Sequence, residues 1–257
     1  MSAMSQLLLI WLLAAMAQTA GWLRQRRTHN AGIVDVIWAA GVGGAAILLA
    51  VLGRGASSPR ALLALLGGQW GWRLAAHLWR RMRSEGEDGR YAHLRTLWGD
   101  DERKWFLFFQ FQALLVALFA VPFLPAANTP DEPPWFRLAA AALFWLLAVA
   151  GEALADRQLA RFRSDVGNKG RVCRVGLWRY SRHPNYFFEW LHWFAYVVLA
   201  DGAAQSWLGP ILMYVFLRWL SGIPYTEAQA LRTRGDAYRA YQRTTPMLIP
   251  WFPRSER

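Results

Sequence analysis

The sequence predicts an all-α integral membrane protein of seven transmembrane helices, with its N-terminus outside and its C-terminus in the cytoplasm. Three observations lead to this fold class. Hydrophobic residues make up 55% of the 257 residues and charged residues only 18%, whereas soluble proteins average about 25% charged residues. The apolar residues gather in seven runs, and the basic residues alternate between the links that join them. We therefore expect residues 1–257 to form a single membrane domain.

A helix of about 20 mostly apolar residues is long enough to cross a bilayer. No basic residue precedes the first run, so we expect it to be a retained helix and not a cleaved signal peptide. The third, sixth and seventh runs also contain polar side chains. The seven predicted spans are residues 4–23, 31–52, 61–79, 105–124, 135–154, 186–200 and 207–223.

The distribution of basic residues gives the predicted orientation. Of the 29 Lys and Arg, 24 lie in the odd-numbered links and the C-terminal tail, as the positive-inside rule requires if those segments are cytoplasmic. A net charge of +12 also suggests a soluble nucleic-acid-binding protein, but such a protein has no reason to alternate its basic residues. We therefore expect membrane lipid, and no nucleic acid, as a partner. The single cysteine and the histidine spacing predict neither a disulfide framework nor a metal site.

The densest group of polar residues lies between positions 156 and 189. Its arginines present planar forks of donors that suit phosphate groups, which indicates a polyanionic cofactor such as a dinucleotide phosphate. The alternative is that these basic loops only set topology and contact anionic lipid. Topology does not account for the segment Arg182-His183-Pro184-Asn185-Tyr186, nor for Glu189, which shares a helix face with Asn185.

Residues 176–190 (GLWRYSRHPNYFFEW) resemble the signature of the steroid 5-alpha-reductase-like membrane enzymes, the 3-oxo-5-alpha-steroid 4-dehydrogenase family, most closely in its bacterial branch. Residues 32–38, 87–91, 151–163, 168–172, 221–224 and 247–253 are also similar to that branch. The resemblance runs from about residue 30 to the end, with the family signature at 151–253. The Arg-His-Pro element alone also occurs in sterol reductases and in methyltransferases that act on isoprenylcysteine.

The resemblance implies seven helices, NADPH as the cofactor and reduction of a double bond conjugated to a 3-oxo group. Asp156 and Arg163 match a family pair that holds the cofactor, and Asn185 and Glu189 match residues at the nicotinamide end. No Gly-rich Rossmann turn is present, so side chains would have to hold the dinucleotide. The other residues that the resemblance suggests near the cofactor are Arg73, Asn168, Arg171, Arg179, Arg182, His183, Tyr186 and Glu227, the last of which is alternatively a solvated acid.

Reduction of an enone places negative charge on its carbonyl oxygen, and a hydrogen-bond donor at that oxygen stabilises the transition state. The steroid reductases use an acid on the second helix and a tyrosine on the third. Asp35 is the acid of the second span, and an acid within an apolar run indicates a functional site; the alternative is a structural pair with an arginine such as Arg73. The third span has no tyrosine, so the predicted catalytic residues are Asp35, Tyr91 and Trp70, with Trp38 and Gln69 at the substrate.

The predicted function is therefore an NADPH-dependent reductase of a bacterial inner membrane, with its cofactor site facing the cytoplasm. Its substrate would be an apolar enone, such as a 3-oxo-Δ4-steroid, that enters from the lipid. One alternative is an S-adenosylmethionine-dependent methyltransferase, which the Arg-His-Pro turn would also suit. Because S-adenosylmethionine carries no phosphate, the dense arginines favour NADPH. A second alternative is a non-enzymatic membrane or lipid-binding protein.

Overall fold

The computed structural model describes residues 1–99 and 101–255. It is all-α: 80% of the protein is helical, and the described residues contain no β-strand. Arg257, one of the basic residues of the tail, lies outside the described residues. The helices are α1 (Ala3–Thr28), α2 (Ile33–Leu52), α3 (Ser57–Glu85), α4 (Gly89–Trp98), α5 (Glu102–Ala120), α6 (Leu124–Asn128), α7 (Trp135–Ser164), α8 (Pro184–Leu191), α9 (Trp193–Leu199), α10 (Leu208–Val215) and α11 (Ile223–Thr244).

The chain divides into two compact units, and the single membrane domain stays a prediction. Unit 1 consists of Met1–Ala139 and Tyr196–Leu208, and unit 2 consists of Ala140–Ala195 and Gly209–Arg257. Unit 1 contains α1 to α6 and the candidate residue Asp35. Unit 2 contains α8, α11 and the Arg-His-Pro turn. Each unit therefore holds one of the two groups of predicted site residues.

Four helical segments, not seven, are long and apolar enough to cross a membrane: Ala3–Thr28, Ile33–Leu52, Glu102–Asn128 and Trp135–Ser164. They confirm the first, second, fourth and fifth predicted spans and indicate a membrane protein. The other three predicted spans do not form helices that meet this criterion of length and apolarity, for a physical reason in each case. The helix α3 is long enough, but charged and polar side chains interrupt its apolar surface. The sixth predicted span is divided into the short helices α8 and α9, and the seventh into α10 and a π-helix at Phe216–Leu220.

The first helix has a polar inner face and an apolar outer face. Gln6 and Gln18 are fully buried, and their side-chain amides donate to the Leu52 and Val34 carbonyls of α2 at 3.1 and 3.3 Å. On the opposite face, Leu8 and Met16 are 52% and 61% exposed. This arrangement is the reverse of a soluble amphipathic helix, whereas a helix in lipid can satisfy polar groups inward and expose apolar ones.

Helices α2 and α3 approach so closely that their glycines are required. A Cβ atom on Gly71 would lie 2.5 Å from the Cα of Gly43 and 2.7 Å from the Ala39 carbonyl oxygen. One turn earlier on α3, a Cβ on Gly67 would lie 2.5 Å from that of Ala46. Small residues spaced four apart on each helix allow this backbone contact, as they commonly do between membrane helices.

The substitution Gly71→Ala tests this contact. Its methyl group would meet backbone atoms that cannot rotate away, so the two helices would have to separate. We expect the free energy of unfolding to fall by about 1–3 kcal/mol, measured as a lower midpoint of thermal unfolding for the full-length protein in detergent.

The matched control is Gly44→Ala, because a Cβ at Gly44 has nothing within 4 Å. Alanine favours a helix over glycine by about 1 kcal/mol, so this variant should keep or raise the midpoint. Equal midpoints for the two variants would contradict the close α2–α3 contact.

Candidate functional site

In unit 1, Asp35 lies in the first turn of α2 and contacts two side chains of α4. The Tyr91 hydroxyl donates to its Oδ1 atom at 2.7 Å, and Arg90 Nη2 donates to its Oδ2 atom at 2.9 Å. The positive end of the helix dipole also favours a carboxylate at this position. The arginine that pairs with Asp35 is therefore Arg90, and the structure brings the predicted residues Asp35 and Tyr91 together.

The start of α4 holds Arg90 and Tyr91 in place. Asp88 caps the helix by accepting the Arg90 backbone N–H at 2.9 Å, and it also pairs with the guanidinium groups of Arg90 and Arg81. Burial opposes ionisation of Asp88, but its hydrogen bonds and the two arginines hold its pKa below the usual value. Burial and the charge of Asp35 raise the pKa of Tyr91 well above that of a free phenol. The Tyr91 hydroxyl therefore keeps its proton at neutral pH and remains a donor.

Glu87 and Asp88 are both engaged by neighbouring protein groups. The Glu87 carboxylate accepts from Arg95 Nη2 and from the Ala31 backbone N–H, each at 2.8 Å. The sequence leaves open whether these acids bind ribose hydroxyls or neutralise nearby arginines. Their contacts favour neutralisation. Through Ala31, Glu87 also ties the start of α2 to the segment that leads into α4.

Trp38, Trp70 and Phe119 form an aromatic wall in unit 1. The Trp38 ring meets those of Trp70 and Phe119 edge to face, at centroid distances of 6.2 and 5.3 Å, and lies one helical turn after Asp35. Within residues 1–99 and 101–255, the buried Trp38 Nε1 has no hydrogen-bond partner. Such a buried donor calls for an explanation. Gln69 is not part of this wall, because it lies on the exposed face of α3.

In unit 2, Glu227 of α11 is the centre of a buried polar cluster. Its carboxylate lies 2.8 Å from Arg182 Nε and 3.2 Å from His183 Nε2, and it accepts from Gln242 Nε2 at 2.9 Å. Burial opposes the charge of Glu227, but His183 and Arg182 outweigh this effect and lower its pKa. Burial lowers the pKa of His183 despite the neighbouring carboxylate. The cluster therefore combines an ionised Glu227 with a neutral His183 at neutral pH.

The Arg-His-Pro turn is fixed by local hydrogen bonds. Ser181 Oγ accepts the His183 backbone N–H at 3.1 Å and donates to the Leu248 carbonyl at 2.7 Å. Pro184 occupies the first position of α8, where its missing N–H costs no helical hydrogen bond. The His183 ring stacks on that of Tyr186, with centroids 5.5 Å apart and an angle of 10°. The motif residues thus form one rigid corner.

Asn185 and Asp156, both predicted near the cofactor, are in contact. Asn185 Nδ2 donates to Asp156 Oδ1 at 3.2 Å, which links α8 to α7. The two helices lie close together because Gly151 has no side chain: a Cβ there would lie 2.3 Å from the Phe188 ring. Glu189 is half-buried one turn after Asn185, on the face that the spacing predicts.

Unit 2 also contains a cavity between the end of α7 and α11. Its volume is about 410 Å³, within the range of small-molecule sites. Arg163 is the predicted cofactor residue that lines it. The predicted residue Arg171 is not among the lining residues, but its backbone carbonyl accepts from Nε of the lining residue Arg234 at 3.0 Å. The lining residues are Arg163, Gly170, Thr226, Gln229, Ala230, Thr233 and Arg234.

Three predicted cofactor residues lie elsewhere. Asn168 has a local role, since its amide donates to the Phe162 carbonyl at 3.0 Å at the end of α7. Arg179 is exposed at the end of a short 3₁₀ helix. Arg73 lies half-buried on α3 of unit 1, whereas the other predicted cofactor residues lie in unit 2.

The chain matches the model of a family described as "Protein of unknown function (DUF1295)" over residues 21–245. The chain belongs to this family. The DUF1295 family is associated with steroid 5-alpha-reductase-like proteins, which agrees in part with the resemblance seen in the sequence. No curated protein and no solved structure matches the chain.

Several cavity residues of this DUF1295 protein were missed by sequence reasoning. Thr226 and Thr233 are seven residues apart, and this spacing places them on one face of α11. The residues on that face of α11 are ordinary for a solvent-exposed helix. Their periodicity alone therefore does not identify them as a functional site. Arg234 was counted only among the basic residues of the tail. The signal that identifies these residues is their position beside Arg163, about 60 to 70 residues earlier in the chain.

The substitution Glu227→Gln tests the buried cluster. It removes the charge that compensates Arg182, so we expect the free energy of unfolding at neutral pH to fall by about 3 kcal/mol. The matched control is Asp236→Asn, which removes an exposed ion pair with Arg239 at the same distance of 2.8 Å. Because exposed pairs contribute about 0–1 kcal/mol, this control should unfold nearly as the wild type does.

The stability difference between the wild type and Glu227→Gln should depend on pH. The pKa of Glu227 is lowered in the folded protein, so its stabilising effect is complete above the unfolded value of about 4.3 and is lost as the pH falls through the folded value. The difference in unfolding midpoint between wild type and Glu227→Gln should therefore shrink in acid. A difference that is absent at pH 7, or that grows in acid, would contradict the assigned ion pair.

Proposed function

We propose that this protein is a membrane NADPH-dependent reductase that saturates a carbon–carbon double bond conjugated to a carbonyl group. The proposed substrate is an apolar enone such as a 3-oxo-Δ4-steroid, reached from the lipid. The observation that carries the proposal is the 2.7 Å hydrogen bond between Tyr91 and Asp35. The resembling enzymes use an acid of the second helix together with a tyrosine, and here α4 supplies the tyrosine that the third helix lacks.

The Tyr91 hydroxyl has the properties of a carbonyl donor. It is protonated at neutral pH because its pKa is raised, and Asp35 and Arg90 fix its position. When the substrate carbonyl oxygen becomes the acceptor, the hydrogen bond strengthens as negative charge develops there, which lowers the barrier. A proton that comes ultimately from water then adds to the α carbon, so that this proton and the hydride together saturate the double bond.

The aromatic wall gives the same site an apolar surface. The rings of Trp38 and Trp70 are flat and uncharged. Such rings pack well against a fused-ring substrate. The buried Trp38 N–H, which has no hydrogen-bond partner in the described part of the chain, is a second donor one turn from Asp35. The proposal assigns Trp38 and Trp70 to substrate contact and Tyr91 to the carbonyl.

The residues of unit 2 fit a phosphate-bearing dinucleotide. Two guanidinium groups, those of Arg163 and Arg234, line the cavity, and arginine forks match phosphate oxygens. The paired Asp156 and Asn185 offer further polar contacts, as does His183 in the Arg-His-Pro corner. NADPH, when bound, supplies the hydride that adds to the β carbon. The side chains of this chain hold and orient it and exclude water.

The proposed membrane arrangement keeps seven crossings, with the N-terminus outside and the C-terminus in the cytoplasm of a bacterial inner membrane. The four apolar helices are supplemented by α3, which has 29 residues and whose backbone lies against α2. The segments α8–α9 and α10 with its π-helix complete the count. This orientation gives both NADPH and the arginine-rich links access to the cytoplasm, in keeping with the positive-inside rule.

The experiment is an activity assay on the full-length protein in nanodiscs. With NADPH and a 3-oxo-Δ4-steroid, we expect loss of NADPH absorbance together with the saturated 3-oxo product. The variant Tyr91→Phe should lower kcat about 100-fold and leave the KM for NADPH unchanged, because the phenol acts on the substrate carbonyl.

The control variant is Tyr214→Phe, which removes a hydroxyl from a ring packed against Trp190 and Trp219 and should keep full activity. A series of steroid and non-steroid enones separates the substrate class from the reaction type. Absence of NADPH oxidation with every enone, together with thermal stabilisation by S-adenosylmethionine and not by NADPH, would overturn the reductase and support a methyltransferase.

A further inference from the structure

The last turns of α1 and α3 meet at an indole ring that two arginines share. The guanidinium carbon of Arg24, on α1, lies 5.2 Å from the ring centroid of Trp79, on α3. That of Arg83, also on α3, lies 5.8 Å from the same centroid. We call these three residues the arginine–tryptophan site. They belong to unit 1, and none of them is part of the sites described above.

The positive charges of this site have no carboxylate partner. Among the residues that the structure describes, the side chains of Arg24 and Arg83 form no hydrogen bond and no ion pair. Arg26, two residues later on α1, instead pairs with Glu102 at 3.6 Å. A contact with an aromatic ring does not neutralise a guanidinium group, so the two like charges repel each other. An anion beside both would remove this cost, and arginine forks match phosphate oxygens in particular.

The indole ring of the site is held in place by the core of unit 1. Trp79 is half-buried and packs against the buried cluster that contains Ala31 and Tyr91. Met82, three residues later, packs against the same cluster, and a Cβ at Gly32 would lie 3.3 Å from its Cγ atom. The end of α3 is therefore fixed against the start of α2, and the ring offers a defined surface to both arginines.

An exposed apolar stripe of α3 leads to the arginine–tryptophan site. Leu65, Trp72 and Trp79 follow one another at intervals of seven residues, which places them on one face of the helix. The side chains of Leu65 and Trp72 are 61% and 58% exposed. Arg83 follows Trp79 by one helical turn. The order of side chains along this face is therefore aliphatic, aromatic and then basic.

The outer face of α1 has a similar order. Met16 and Leu23 are seven residues apart and are 61% and 47% exposed, and Arg24 and Arg27 come directly after them in the chain. A lipid leaflet is layered in the same way, with acyl chains inside, tryptophan enriched at the interface and phosphate groups outside. A free phosphate ion would need the arginines but no apolar stripe. The two stripes therefore favour a lipid as the ligand.

We propose that the arginine–tryptophan site binds the headgroup of one anionic phospholipid of the cytoplasmic leaflet, with Arg24 and Arg83 holding its phosphate. Its acyl chains lie along the exposed stripes of α1 and α3. Basic sites between membrane helices on the cytoplasmic side suit such headgroups. An ammonium headgroup would bring a further positive charge beside two arginines, so phosphatidylglycerol is favoured over phosphatidylethanolamine and phosphatidylcholine. The inference does not depend on the proposed reductase, because the site contains none of its residues.

The test uses native mass spectrometry of the full-length protein in detergent micelles. It measures the Kd values of phosphatidylglycerol, phosphatidylethanolamine and phosphatidylcholine with identical acyl chains. We expect one tightly bound phosphatidylglycerol, with a Kd at least about 10-fold below that of phosphatidylcholine. Arg24→Gln and Arg83→Gln should each raise the Kd of phosphatidylglycerol at least about 10-fold, because each removes charge-assisted hydrogen bonds to the phosphate.

The matched control is Arg80→Gln. Arg80 is an exposed arginine of α3 that lies three residues before Arg83, and its Nε donates to the Ala76 carbonyl at 3.2 Å. If binding depended only on the total positive charge of the cytoplasmic face, this variant would weaken it as much as Arg83→Gln does. We expect instead a Kd of phosphatidylglycerol within about twofold of the wild-type value.

A competition with glycerol 1-phosphate, which has the headgroup phosphate but no acyl chains, separates a lipid from a free phosphate compound. If it displaces phosphatidylglycerol at an equal concentration, the site binds free phosphate compounds and the inference is overturned. Equal Kd values for phosphatidylglycerol and phosphatidylcholine, or equal effects of the three glutamine variants, would overturn it as well. Tight binding that requires Arg24, Arg83 and the acyl chains supports it, whatever the enone assay shows.

Discussion

The close contact of α2 with α3 is the constraint on which the organisation of unit 1 depends. Gly43 and Gly71 allow the two backbones to touch, and this distance decides which side chains can lie between the helices. Nearer the start of α2, the same pair of helices brings Trp38 and Trp70 edge to face. Asp35 lies one further turn toward the N-terminus. Along α2, the small residue Gly43 packs against α3, and toward the N-terminus the helix carries first the Trp38 ring and then the Asp35 carboxylate.

Burial separates the arginines into groups that the sequence cannot distinguish. Arg90 and Arg182 are largely buried and paired with Asp35 and Glu227, respectively. Such pairs hold segments together, since removal of one partner would leave an unpaired buried charge. Arg163 instead faces a cavity without a carboxylate partner in the described residues. Some arginines therefore stabilise the fold, whereas Arg163 is available to a ligand. The sequence does not separate them, because all three arginines belong to segments with a similar excess of basic residues.

Hydropathy is sufficient to predict α1, α2, α5 and most of α7, because lipid imposes the same requirement on every residue of a span. It is insufficient for α3, whose packing against α2 depends on glycine positions and not on mean apolarity. Asp35, Tyr91, Asp156 and Asn185 are each predicted as site residues from the sequence, but the contacts between Asp35 and Tyr91 and between Asp156 and Asn185 come only from the structure. The sequence does not decide whether Glu227 is a site residue or a solvated acid. Its partners Arg182 and His183 lie more than 40 residues earlier in the chain and contact it only when α11 packs against the Arg-His-Pro turn. The cavity threonines were not predicted at all, since nothing in the composition of α11 separates them from solvated residues.

The departure from the third-helix tyrosine has a physical explanation within the proposed function. Stabilisation of a developing oxyanion depends on the position of the donor and on its protonation, not on the helix that carries it. In this chain α3 uses its surface for close contact with α2, and at Trp70 it supplies a buried indole. The phenol comes instead from α4, where Asp88 caps the helix and Arg90 binds Asp35 beside it. A short helix outside the apolar spans can thus place Tyr91 at the Asp35 carboxylate, and its burial against Ala31, Val34 and Phe109 keeps the hydroxyl protonated where the proposed chemistry needs a donor.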